Sequence, residues 1–127
     1  ILSLLASALF INQLKPKLGI PNKPPVPTPP VPVPVQPVLP DGTVPEDLAE
    51  QASTVWSNVL AILSEASMEL ANVASVTTYV VPGQDLGVVM AERDRALEGH
   101  LAASTLVVVP ELAQPEWKVE VAVIAVG

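Results

Sequence analysis

The chain has 127 residues, half of them hydrophobic, 15% charged and 3% aromatic, with no cysteine and one histidine. That length suits one domain around one core, and the absence of cysteine excludes disulfides, thiolate zinc, iron–sulfur clusters and a cysteine nucleophile. Six Lys and Arg against thirteen acids leave a net charge of −7, which repels phosphate backbones, so no nucleic-acid partner is expected. A single imidazole cannot build a two-histidine metal centre, and neither metal nor cofactor is expected. The balance suits a cytoplasmic domain.

The chain falls into two unequal parts. Twelve of the fifteen prolines lie at or before Pro45, and the first forty residues carry only Lys15, Lys17 and Lys23 as charges. From Asp41 onward there are thirteen acids and three bases. The apolar opening, 1–11, is shorter than the roughly 20 residues that span a bilayer, and it lacks the basic flank of a signal peptide. It is expected to be a short helix or strand packed on the domain, ending near Pro16, with no membrane partner. Residues 21–40 are rich in Pro and Val, a composition usual for a linker or for a ligand of an aromatic-lined groove. The same stretch also suits a strand, because Pro30, Pro32 and Pro34 remove donors from one edge only. Such a strand pairs on one side and lies at the edge of a sheet.

Regular periodicity begins after Asp41-Gly42, a turn signal. Thr43 and Glu46 have capping-box spacing, and a helix is expected over 45–66. Its apolar stripe is Leu48, Ala52, Val55, Val59, Ile62 and Leu63, widened by Trp56 and Leu60. A Val- and Thr-rich strand is expected over 73–81, a second helix over 86–97 stopped by Gly99, and strands over 105–109 and 117–126. In the last strand Val119, Val121 and Val123 alternate with Lys118, Glu120 and Ala122, and its doubly apolar tail suits a central position. The fold class is therefore α+β: a mixed sheet with two helices on one face. The opposite face, expected to be lined with valine, needs a cover, and further copies of the chain are the simplest one.

Several of these runs resemble the Rid/YjgF family of imine deaminases, the family of L-PSP-type endoribonucleases. QPVLPDGTVPEDLAEQA at 36–52 is similar to the segment after that family's second strand. VWSNVLAILSEA at 55–66 matches the spacing of its first helix, and VASVTTYVV at 73–81 the strand that follows. Asp85-Leu86 and Gly99-His100 bracket its second helix. AASTLVV at 102–108 resembles the strand Pro-Ala-Arg-Ser-(Cys/Thr)-Val-x-Val, and VEVAVIAV at 119–126 the closing Ile-Glu-Ile-x-Ala-Ile-Ala-Val. The likeness runs over 36–126, with 1–35 standing in for the early strands. It implies a homotrimer with a barrel-like centre and clefts between subunits. There, hydrolysis of 2-imino or enamino acids to 2-keto acids and ammonia is the implied activity. It also implies a catalytic Glu120 and substrate-binding roles for Thr105, Gln36 and the position of Ala103. That last position is where the family carries the arginine that grips the substrate carboxylate. A methyl group makes no bidentate ion pair, so the implied activity is weakened at this point. Pro34 and Val35 replace the family's Ser-Gly ahead of Gln36.

Read without the resemblance, each residue has a plainer role. Glu120 is a solvated strand carboxylate. His100 is a helix-end residue near the negative pole of the dipole. Glu92, Asp94 and Glu98 with Arg93 and Arg95 form a solvated helix face, and Trp56 and Trp117 are packing anchors. Ser104-Thr105 has no paired base and is no nucleophile. Arg93 and Arg95 lie outside the implied cleft, and Lys118 is expected to turn away from Glu120. Three functions remain open: an imine deaminase, a protein of the same fold that binds a small metabolite or acts as a regulator without catalysis, and an endoribonuclease or translation inhibitor. The acidic chain disfavours the third, having no basic groove for RNA.

Overall fold

The computed structural model describes residues 30–127. The expectations for the apolar opening and for most of the Pro-rich stretch lie outside the described residues. Among the described residues no helix is long and apolar enough to cross a membrane.

Four strands make one sheet in the order β1-β4-β2-β3. In the chain they run as β1 (Val33–Val35), helix α1 (Leu48–Glu65), a 3-10 turn (Leu70–Asn72), β2 (Val73–Val80), helix α2 (Leu86–Leu97), β3 (Ala103–Val108) and β4 (Val119–Ala125). β4 is antiparallel to both β1 and β2, whereas β2 and β3 are parallel and are joined through α2, the kind of crossover a parallel pair requires. The doubly apolar tail of the last strand does lie centrally. Pro34 sits opposite Ala122 in β1, which is an edge strand among the described residues. A proline is tolerated there because an edge strand needs donors on one side only.

Helix α1 begins three residues later than the spacing predicts. Asp47, not Thr43, is the N-cap, and its carboxylate accepts from the Glu50 amide at 3.1 Å. The hydroxyl and amide of Thr43 instead donate to Asp41 Oδ1, closing the turn around Gly42. Those two bonds, the hydroxyl's first, hold the Asp41 carboxyl below its ordinary range. Helix α2 has the predicted bounds, with Asp85 capping the Gly87 amide at 2.9 Å. It stops through Glu98 and Gly99, both at positive φ. His100 serves the helix end through its backbone, whose N–H donates to the Leu97 carbonyl at 2.8 Å, while its side-chain Nε2 lies 2.7 Å from the Val73 carbonyl oxygen and ties this loop to β2.

The core lies between the helices and one face of the sheet. Val55, Trp56, Val59 and Leu63 of α1 and Val89 of α2 meet Val35, Val76, Val80, Val119, Val121 and Val123. Each such valine contributes about 1.5–3 kcal/mol relative to an exposed one. Gln51 is wholly enclosed among them: Nε2 donates to the carbonyls of Pro45 and Glu116, and Oε1 accepts from the Lys118 amide, all at 2.8 Å.

The helix-free face departs from expectation. Valines turn mainly toward the helices, and strand alternation places Ser75, Thr77, Tyr79, Ala103, Thr105, Val107, Glu120, Ala122 and Ile124 on the other side. That face mixes polar and apolar groups and is no valine sheet. Exposed apolar side chains are spread over the described protomer: Val107, Val108 and the preceding Leu101 are open at β3, and so are Val31, Leu60, Met90 and Val126 elsewhere.

Candidate functional site

Gln36, Ala103, Thr105 and Glu120 all belong to the helix-free face, but the protomer does not bring all four together. Glu120 pairs with Tyr79 across β4 and β2, and Tyr79 pairs in turn with Val107 of β3. Gln36, just past β1, completes the row, its Nε2 donating to Glu120 Oε1 at 3.3 Å. Thr105 stands opposite Thr77, two residues along β2 from this row, and is exposed. Ala103 stands opposite Ser75, four residues along, hence about 13 Å up the sheet and two strands across from Glu120.

Alternation puts Glu120 on this face, because Val119 and Val121 must enter the core. Gln36 is held by its own backbone. Asn58 of α1 donates through Nδ2 to the carbonyls of Gln36, at 3.0 Å, and Val38, at 2.8 Å. The helix layer thereby fixes the loop that carries the amide on Glu120. Neither Asn58 nor Tyr79 stands out in the sequence as a site residue, since their placement depends on strand pairing and on helix-to-loop contacts.

Glu120 is half-buried at an open groove of about 420 Å³ walled by Pro32, Pro34, Tyr79, Val109, Glu111 and Leu112. A second groove, of about 460 Å³, lies around the start of α1 and includes Ser53, Thr54 and Glu92, but none of the four positions above. The Glu120 groove gathers a carboxylate that accepts from the Gln36 amide, a tyrosine and apolar walls, and a carboxylate is a group that can act as a general base. Among the described residues no three His, Cys, Asp or Glu side chains gather to hold a metal ion.

The described basic side chains are engaged elsewhere. Arg93 bonds Asp94 and reaches Ser104, whose side chain leaves β3 on the helix side, opposite to those of Ala103 and Thr105. It pairs with its sequence neighbour and not one turn away. Arg95 pairs with Glu92 at 2.9 Å. Lys118 Nζ donates to the Glu46 carbonyl and so turns from Glu120, ahead of the first residue of β4.

The family model for endoribonuclease L-PSP matches residues 33–127, which is the whole sheet and both helices. The chain belongs to the Rid/YjgF family. Solved structures bear out the fold. A Rid protein from Yersinia pestis, YyfB, is 27% identical over 72% of this chain and 73% of its own, with a TM-score of 0.67. A Vibrio vulnificus protein described as a candidate translation initiation inhibitor is 28% identical over 72% and 76%, with a TM-score of 0.68. Yeast Mmf1 is 26% identical over 72% and 73%, with a TM-score of 0.67. No curated protein matches. In this chain Glu120 lies on the closing strand and Ala103 at the start of β3.

Proposed function

We propose that this Rid/YjgF protein hydrolyses imines at the Glu120 groove, releasing a carbonyl compound and ammonia. The 2-imino and enamino acids are turned over weakly. The observation that carries this reading is the half-buried Glu120 carboxylate held by Gln36 beside Tyr79. A carboxylate so placed is a general base for water attacking an imine carbon, a role that contributes about 10²–10⁴ in rate.

Ala103 accounts for the weakness. A charge-assisted contact to a ligand carboxylate stabilises it by about 1.5–3 kcal/mol, so its loss costs roughly tenfold to over a hundredfold in affinity. Because Ala103 and Glu120 are far apart within one protomer, a pocket containing both needs two copies. The cleft of a homotrimer supplies that arrangement, with β3 of one copy facing the groove of another. An RNA backbone is disfavoured by the two glutamates of the groove.

Ammonia release from 2-iminobutanoate and 2-iminopropanoate, generated in situ, tests the reading. The parent is expected to accelerate release modestly and Ala103→Arg to raise it. Release by the variant alone would make the parent a protein that binds small metabolites without turning them over. Release by neither would contradict the proposal.

A further inference from the structure

We infer that the Glu120 groove selects its substrate by charge: it takes imines that lack a carboxylate, bound as iminium cations. This rests on the reading of the groove as a hydrolytic site and names its substrate class. Two carboxylates, Glu111 and Glu120, border the groove, and Tyr79 also lines it. Carboxylate and ring both attract a cation, the ring through its negative face. The described residues lining the groove include no Lys or Arg.

Nor does the rest of the described protomer supply one. Its three bases are Arg93, Arg95 and Lys118, held respectively by Asp94 with Ser104, by Glu92, and by the Glu46 carbonyl. A 2-imino acid entering this groove would set its own carboxylate against two others. An iminium of the same size without that group meets only attraction. Pro32, Pro34 and Val109 leave an apolar wall for a short alkyl substituent.

The chemistry balances without a further reactant. Water adds through oxygen to the imine carbon while Glu120 takes one of its protons, and the C=N π pair moves onto nitrogen. The carboxyl returns that proton to nitrogen. The C–N bond then breaks with its pair on nitrogen, and the hydroxyl proton passes to the departing ammonia. Iminium and water thus give ketone or aldehyde and ammonium.

A matched pair of probes tests the selection apart from catalysis: propylammonium and propanoate, titrated into the full chain by NMR. Propylammonium is expected to bind at least about tenfold more tightly than propanoate, shifting the Tyr79 and Ala122 resonances. Glu111→Gln should weaken it several-fold while leaving the unfolding midpoint in place. Equal or tighter binding of propanoate, no saturable binding of either probe, or an affinity unchanged in Glu111→Gln overturns the inference. Turnover of propan-2-iminium and of 2-iminopropanoate separates the two claims. Selective binding with neither imine hydrolysed removes the proposed activity and leaves the charge selection standing. Faster hydrolysis of 2-iminopropanoate removes the charge selection and leaves the activity.

Discussion

Gln51 shows how much a single polar residue can organise here. It is fully enclosed, yet every bond its amide makes goes to backbone outside its own helix: to the segment before α1 and to the lead into β4. Replacing it by methionine keeps the volume and orphans two carbonyls and one N–H. Gln51→Met is predicted to lower stability by about 2–5 kcal/mol, read from urea denaturation. A loss under about 0.5 kcal/mol, the range of surface substitutions, would show that the amide is not the tie described. Periodicity counts apolar residues, so it passes over Gln51 at a buried position. Glu120 is more legible, because alternation with Val119 and Val121 sends it off the core face whatever its role. Its amide partner depends on strand register, and a pairing between residues eighty-four apart leaves no mark in local sequence.

Among the elements, α1 does more than cover the sheet. Asn58 on its flank binds two carbonyls of the loop after β1, and that loop carries Gln36. Asn58→Ala is predicted to cost about 1–3 kcal/mol in stability. It should also move the Gln36 side-chain amide resonances toward those of free glutamine. Unchanged Gln36 resonances would mean that α1 does not position the site. Helix α2 and strand β2 were legible almost to the residue, since caps, Val- and Thr-rich runs and Pro-Gly breaks coincide there. The start of α1 was not. Thr43 has the right spacing for a cap, but Asp41 two residues earlier captures both its hydroxyl and its amide. Strand β3 begins two residues earlier than its apolar run, because pairing with β2 extends over Ala103 and Ser104.

At the scale of the whole molecule, the departure of greatest consequence is the helix-free face. An all-valine face would force association by burial alone. The observed face is mixed, with Val107 open on it, and other exposed apolar side chains, among them Val31, Leu60 and Met90, lie elsewhere on the described protomer. The proposed association brings β3 of one copy to the groove of another and leaves the groove accessible between copies. Sedimentation at micromolar concentration is predicted to give about 40 kDa, three times the 13.3 kDa chain. A stable 13.3 kDa species would leave Ala103 and Glu120 in separate places. Charge acts at the same scale: an acidic protomer whose described bases are all paired or hydrogen-bonded offers little to an anionic ligand. The account turns on Glu120 as the base, and ammonia release from in situ imines by the parent and by Glu120→Gln tests this most directly. We predict catalysed release by the parent and a fall of about a hundredfold or more in the variant; equal rates in the two proteins would contradict it.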